Sequence, residues 1–184
     1  MIAGAMRLLA RRGLQATSFS EVLELTGAPR GSIYHHFPEG KDQLVAAAIE
    51  LAGDRALEPL ELIAGASPEK VTEVFLGTWR KLLSGANFDA GCSVLAVTVA
   101  TDSRELLDHA GSVFRSWRGR LAELLEQGGL TPAVAQQLAA TLIAASEGAV
   151  VLSRAERSME PFDLVSIQLL SQVRAAVDST RPKP

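Results

Sequence analysis

Hydrophobic positions recur along this chain at the spacing of helices, beginning at its N-terminus. Four apolar residues follow the i, i+3, i+4, i+7 pattern, which places them on one face of a helix: Ile2, Ala5, Met6 and Leu9. This first helix is predicted to end at about Arg12, because Gly13 suits the backbone of a helix C-terminus. The pattern begins immediately, as it would in the middle of a helix.

Two short helices are predicted next. Ser18 and Glu21 have the spacing of a capping box, in which each side chain satisfies a backbone N–H at the start of a helix. A second helix is therefore expected over about 19–25. Pro29 fits the first position of a third helix, where its missing N–H would have no partner anyway. That helix is predicted to end near Phe37, before a Pro-Glu-Gly break.

Longer helices are predicted over the rest of the chain, at about 41–63, 67–83, 92–101, 103–127, 131–157 and 161–178. Residues 92–101 are apolar and β-branched, but a lone strand would have no partner, so a buried helix is expected there. Asp102 and Glu105 repeat the capping-box spacing, and the tail 181–184 is expected to fray. The predicted fold class is all-α, with about nine helices.

Composition supports a folded protein that lies free of membranes. Hydrophobic residues make up 47% of the 184 residues and aromatic residues only 5%, a mix that argues against disorder and favours helices over strands. The single cysteine allows no intrachain disulfide, which suits the cytoplasm. No apolar run of membrane-spanning length is present, so we expect neither a membrane span nor a membrane partner.

Charge argues mildly against nucleic acid for the chain as a whole, since the net charge is −3. Residues 1–50, however, are balanced, with five Lys or Arg and five Asp or Glu. DNA affinity would then depend on a few well-placed contacts and on two copies that act together.

The third predicted helix and its surroundings carry an unusual density of hydrogen-bond donors. Packing requires only Ile33 and Phe37, which lie at i, i+4. The first three helices are predicted to share a mini-core formed by Met6, Leu9, Phe19, Val22, Ile33 and Phe37. The candidate DNA-contacting residues are Thr17, Ser18, Arg30, Gly31, Ser32, Tyr34, His35 and Lys41. Side chains of these types reach phosphate oxygens and base edges, and a glycine permits close approach of the backbone. The first three helices are thus predicted to form a helix-turn-helix.

Simpler interpretations of single residues remain open. Tyr34 could equally lie at the edge of the core, and Lys41 alone could be a solvated surface charge. His35 and His36 could form a metal pair, but adjacent helical residues do not share a face and a zinc site needs three or four ligands. No metal and no cofactor are therefore expected.

This combination resembles the TetR/AcrR family of bacterial regulators, over residues 11–18 and especially 27–37. The resemblance implies a homodimeric, all-helical, ligand-responsive repressor. It also implies DNA contacts from the residues Thr17, Arg30, Ser32, Tyr34, His35 and Lys41. The link before Lys41 is one residue longer than is common in the family. With residues 91–94, that link resembles the LmrA/YxaF-like subgroup, although Ser93 stands where proline is expected.

Beyond residue 50 no motif stands out, but the family resemblance implies a pocket for a small-molecule effector, enclosed by the fourth to seventh helices. Candidate pocket residues are the scarce large side chains and their neighbours: Phe75, Trp79, Phe88, Cys92, Val99, Phe114 and Trp117. Such a lining suits an apolar or aromatic ligand, although each residue could equally be plain core. His109 could be a polar contact or merely exposed, and Cys92 could be a redox sensor or a buried, inert thiol.

The last two predicted helices carry apolar stripes that suit a four-helix interface between two subunits. The candidate interface residues are Leu138, Leu142, Ala145, Ala149, Leu152, Phe162, Val165, Leu169 and Val173. The alternative is that these stripes form only an intrachain core.

The sequence therefore predicts a helix-turn-helix domain over 1–42 and a ligand-binding and dimerisation domain over 43–184. The leading hypothesis is a cytoplasmic, ligand-controlled repressor of double-stranded operator DNA. Two alternatives remain. One is a dimeric small-molecule-binding adaptor that has lost DNA binding, and the other is an enzyme that uses Cys92, although no catalytic constellation supports it.

Overall fold

The computed structural model describes residues 1–180, and the regular structure of this part of the chain is entirely helical. Its helices are α1 (Ile2–Arg12), α2 (Phe19–Thr26), α3 (Arg30–His36), α4 (Lys41–Glu61), α5 (Pro68–Gly85), α6 (Ser93–Ala100), α7 (Arg104–Gln127), α8 (Pro132–Glu156) and α9 (Glu160–Thr180). The all-α prediction is confirmed, and the helix predicted over 92–101 is present as α6, with Cys92 and Thr101 as its caps. The tail 181–184, expected to fray, lies outside the described residues.

Two predicted helix starts are confirmed by their caps. The hydroxyl oxygen of Ser18 accepts a hydrogen bond from the Glu21 N–H at 3.2 Å, and that of Ser67 accepts one from the Lys70 N–H at 3.3 Å. Such caps satisfy N–H groups that the first turn of a helix leaves without partners. Each capping bond joins residues only three positions apart, which is why the sequence pattern revealed both helix starts.

Three details of the helix starts differ from prediction. Glu21 does not complete the capping box, because its carboxylate accepts a hydrogen bond from Arg12 at 3.2 Å. Pro29 is the cap of α3 rather than its first residue, since its ψ of 137° is extended. At α7 the capping side chain is that of Ser103, which accepts from the Leu106 N–H at 3.4 Å, and not that of Asp102.

The described chain divides into two compact units. One combines Met1–Arg55 with Ala90–Phe114, and the other combines Ala56–Asp89 with residues 115 onward. The first unit therefore contains α1 to α3, most of α4, α6 and the start of α7. The second contains α5, α8, α9 and the rest of α7.

The core of the first unit forms where α1, α2 and α3 meet. Leu9, Val22 and Ile33 are completely buried, as the predicted mini-core requires, whereas Met6 and Phe19 are only half-buried. A side chain at Gly4 would not fit this packing, because its Cβ would lie 2.4 Å from Thr26 Cγ2. Glycine at this position therefore lets α1 approach α2 closely.

In the second unit, α8 packs against α9 and α5. By length and composition α8 could cross a membrane, but 44% of its apolar window is buried within the fold. Its inward face includes Leu142 and Ala149, which pack in the same core as Phe162 and Leu169 of α9. An apolar helix of this kind is what a packed helical core requires.

Candidate nucleic-acid interface

The α2–α3 segment forms a helix-turn-helix. Gly27 ends α2 in the left-handed conformation (φ 66°), and its N–H donates to the Leu23 carbonyl at 2.8 Å. Glycine adopts this conformation without the steric cost of a Cβ. Pro29 then caps α3, whose buried side is formed by Ile33 and followed by buried Phe37. The opposite side of α3 is left for solvent or a partner.

That outer side of α3 carries most of the candidate DNA-contacting residues. Arg30, Gly31, Tyr34 and His35 are exposed, and Ser32 is half-buried. A Cβ at Gly31 would meet no atom within 4 Å, so packing does not require glycine there. A close approach of DNA to the helix backbone would give this glycine a role.

Tyr34 is 56% exposed, but its ring has one aromatic neighbour. The ring of Phe19, the first residue of α2, meets it edge to face, with centroids 5.5 Å apart and an interplanar angle of 81°. This contact joins the N-terminus of α2 to the outer side of α3. Sequence reasoning placed Phe19 in the mini-core and missed this role. The one available signal was an aromatic residue flanked by two serines.

Thr17 and Ser18 have different environments. Thr17 is 1% exposed, and its hydroxyl donates to the Gly13 carbonyl at 2.9 Å. Its side chain therefore stabilises the turn between α1 and α2. Ser18 is exposed, and because its hydroxyl accepts the capping bond, its proton is available to a phosphate oxygen.

Lys41 lies at the first position of α4 and is half-buried. Its ammonium Nζ donates to the Leu14 carbonyl at 2.8 Å. One of its three N–H donors thus fixes the α1–α2 turn, and the others can reach a phosphate. The Lys41 ammonium therefore has a structural partner in the Leu14 carbonyl and keeps free donors for an anion such as phosphate.

Helix α1 is also tied to α6 and its preceding loop. The Gly91 N–H donates to the Ala10 carbonyl at 2.9 Å, and Gln15 Nε2 donates to the Ala100 carbonyl at 3.3 Å. The first bond joins α1 to the loop before α6, and the second joins the α1–α2 turn to the last residue of α6. The sequence could not reveal them, because both join residues that are far apart along the chain.

The candidate effector residues fall into both units. The structure brings three of them together in the second unit as edge-to-face aromatic pairs: Phe75 with Trp79 at 6.4 Å, and Trp79 with Trp117 at 6.1 Å between centroids. All three are buried. Trp79 Nε1 is buried without a hydrogen-bond partner in the described part of the chain, which is costly unless a ligand or water accepts a hydrogen bond from it.

The other four candidates are less alike. Phe88 and Phe114 are half-buried, whereas Val99 is 74% exposed on α6. Cys92 is buried, and its sulfur caps α6 by accepting from the Leu95 N–H at 3.3 Å. His109 bonds Glu50 of α4 through Nδ1 at 2.9 Å.

The candidate interface residues also have several environments. Five of them pack inside the chain's own core: Leu142, Ala149, Phe162, Leu169 and Val173. Leu138, Ala145 and Val165 are half-buried, and Leu152 is exposed. The exposed large apolar side chains of α8 and α9, which we call the α8–α9 patch, are Val151, Leu152, Leu164 and Ile167, and of these only Leu152 was a candidate interface residue.

Two family models match most of the chain. The model of bacterial regulatory proteins of the tetR family matches residues 1–57. The model of the C-terminal domain of LmrA/YxaF-like transcriptional regulators matches residues 68–168.

Individual relatives agree with these models. The HTH-type transcriptional regulator Rv0196 of Mycobacterium tuberculosis is 34% identical over 176 residues, covering 92% of this chain and 90% of its own. YxaF of Bacillus subtilis is 29% identical over 175 residues, covering 92% and 91%. Among solved structures, a TetR regulatory protein from Rhodobacter sphaeroides superposes with a TM-score of 0.81 at 21% identity, covering 93% and 95% of the two chains.

Proposed function

The chain belongs to the TetR family of bacterial regulators and carries the C-terminal domain of its LmrA/YxaF-like subgroup, and from this premise we propose a more specific function. The protein is a repressor that binds a palindromic operator as a homodimer and releases it when a small apolar or aromatic effector binds. It acts in the cytoplasm, and its DNA-binding helix-turn-helix domain comprises residues 1–42. Both matched families are transcriptional regulators and not enzymes.

The main support for this proposal is that α3 and its C-cap Phe37 bury some side chains and leave others exposed on the opposite side. Ile33 and Phe37 supply the packing, while Arg30, Tyr34 and His35 project from the other side without a core to join. A short, donor-rich face of this kind suits entry into the major groove, where Arg reads guanine and hydroxyl or imidazole groups reach phosphates and bases.

Dimerisation is supported by the α8–α9 patch. Leu164 and Ile167 are 62% and 66% exposed, and Val151 and Leu152 of α8 are each 50% exposed. Four large apolar side chains on two neighbouring helices form a surface that a second copy would cover. Two α3 helices could then enter successive major grooves, about 34 Å apart.

Effector binding is supported by the aromatic cluster of Phe75, Trp79 and Trp117. Aromatic walls with few polar groups favour an apolar or aromatic ligand. The unpartnered Trp79 N–H offers one directional contact to an acceptor on that ligand. Phe88 lies in the same unit as this cluster, and we assign it to the same effector region. Cys92, Val99 and Phe114 belong to the other unit, and their role in effector binding stays a prediction.

Transmission to DNA is assigned to α4. At its N-terminus Lys41 holds the turn before α2, and further along the helix Glu50 bonds His109 of α7. A shift of α4 would therefore move the turn that orients α2. In thermodynamic terms, the effector must bind the DNA-incompetent arrangement more tightly than the competent one.

The proposal is tested by selecting duplexes from a random pool with the full chain and then titrating the selected duplex by fluorescence anisotropy. We expect a palindromic consensus and two chains per duplex. Aromatic compounds that change the tryptophan fluorescence should then lower operator affinity. A compound that binds the protein and leaves operator affinity unchanged would contradict the release mechanism.

A further inference from the structure

We propose that Phe19 is a positioning residue for DNA recognition, because its ring holds the Tyr34 ring in the orientation that binds DNA. This inference rests on the proposed contact between Tyr34 and the operator. Phe19 of α2 thus influences how tightly Tyr34 binds the operator, although Phe19 does not itself touch DNA.

The first observation behind this inference is the relative orientation of the Phe19 and Tyr34 rings. The two rings lie edge to face at 5.5 Å and 81°, the arrangement in which the positive edge of one ring meets the negative face of the other. Tyr34 is otherwise largely exposed on a helix. An exposed aromatic side chain samples several χ1 rotamers, and contact with Phe19 favours one of them.

The second observation is the exposed environment of Phe19. It lies between Ser18 and Ser20, which are both exposed, and is itself only half-buried. The packing between α2 and α3 already has fully buried Val22 and Ile33. The fold therefore does not depend mainly on the Phe19 ring, which leaves orientation of Tyr34 as its specific effect.

The consequence is lower conformational cost on binding. A side chain that is already ordered in the free protein loses less freedom when it meets its partner. An aromatic pair of this geometry corresponds to about a 2- to 12-fold effect on affinity for each subunit. The effect should depend on the Tyr34 hydroxyl, because that is the group being positioned.

The test is a double-mutant cycle with the full chain and the selected operator duplex. Phe19→Leu should weaken binding several-fold, and Tyr34→Phe should weaken it by loss of the hydroxyl. The double variant should bind no more weakly than Tyr34→Phe alone, and Phe19→Tyr should retain nearly wild-type affinity because it keeps the ring. Equal losses from Phe19→Leu in both backgrounds would overturn the inference while leaving the DNA contact of Tyr34 intact.

A second measurement uses the free protein. Tyr34 is the only tyrosine in the chain, so 3-fluorotyrosine labelling gives one assigned fluorine NMR signal. We expect Phe19→Leu to move this signal towards its position in the unfolded chain, and Phe19→Tyr, which adds a second signal, to leave the Tyr34 signal near its wild-type position. An unchanged signal in Phe19→Leu would also overturn the inference. Unchanged affinity of Tyr34→Phe would instead remove the proposed DNA contact, and the inference with it.

Discussion

The ammonium of Lys41 donates a hydrogen bond to the carbonyl oxygen of Leu14, 27 residues earlier in the chain, at 2.8 Å. Leu14 lies in the turn between α1 and α2, which leads directly to Thr17 and Ser18. The bond therefore ties the turn that precedes α2 to the first residue of α4. It gives Lys41 a structural role in addition to its proposed phosphate contact.

Lys41→Met is expected to lower both stability and DNA affinity. Hydrogen bonds to charged groups contribute about 1.5–3 kcal/mol when buried, so for this half-buried pair we expect about 1 kcal/mol, measured by urea unfolding. Loss of a phosphate contact should also reduce the salt dependence of operator binding by about one unit of slope per subunit. Lys81→Met, at an exposed lysine of α5, is the control and should change neither quantity. Unchanged stability and salt slope in Lys41→Met would contradict both roles.

Gly4→Ala should destabilise the fold, because the new methyl group would lie 2.4 Å from Thr26 Cγ2. The Thr26 side chain cannot turn away freely, since its hydroxyl donates to the Val22 carbonyl at 2.6 Å. Overpacking of this kind costs about 1–3 kcal/mol, of which the higher helix propensity of alanine offsets at most about 1 kcal/mol. Thermal unfolding would measure the net loss.

Gly31→Ala is the matched glycine substitution. Its Cβ would meet nothing within 4 Å, and alanine favours helix by about 1 kcal/mol over glycine. We expect this variant to be at least as stable as the wild type but to bind operator more weakly, because the methyl group would face the DNA. Wild-type affinity would show that DNA does not approach the helix backbone at this point.

Ile167→Glu should convert the proposed dimer to a monomer without unfolding the chain. The side chain is 66% exposed in the isolated subunit, but a charge there would be buried in the proposed interface, where an unpaired charge is costly. Sedimentation would measure the mass. Leu62→Glu, at an 86% exposed leucine outside the α8–α9 patch, should leave the assembly unchanged. A dimeric Ile167→Glu variant would place the interface elsewhere.

The ion pair between Arg120 and Glu61 should make stability depend on acidic pH. Arg120 Nε and Nη2 each donate to the Glu61 carboxylate at 2.7 Å, and this bonding holds the pKa of Glu61 below its ordinary value. A carboxylate with a lowered folded-state pKa stabilises the fold above its unfolded pKa. That contribution is lost as the pH falls through the folded pKa.

Wild type and Glu61→Gln should therefore differ in melting temperature at neutral pH and converge on acidification, from about pH 5 downwards. Glu58→Gln changes an exposed glutamate on the same helix and should follow the wild-type profile. A constant difference between wild type and Glu61→Gln at every pH would exclude titration of Glu61 as its source.

Local patterns predicted much of the fold because they depend on neighbouring residues. Ser18 and Ser67 marked helix starts, and the spacing of Ile33 and Phe37 gave the buried side of α3. The Lys41–Leu14, Gly91–Ala10 and Gln15–Ala100 bonds escaped prediction because they join distant residues. Nothing in the local spacing specifies such pairs.

The α8–α9 patch illustrates a second limit. Helix α9 has one apolar row through Phe162, Leu169 and Val173, and a second at Leu164 and Ile167. Periodicity shows that both rows exist but does not reveal which one packs within the chain. The structure places the first row inside and leaves the second exposed. The exposed row is therefore the part of α9 that belongs to the proposed interface.

The most direct test of the central claim is operator binding by the wild type and Tyr34→Ala, measured by anisotropy on the selected duplex with the stoichiometry determined in parallel. We predict two wild-type chains on a palindromic site, and at least tenfold weaker binding by a folded Tyr34→Ala variant. Selection of no consensus by the wild type, or equal affinity of the two proteins, would contradict recognition of an operator through α3.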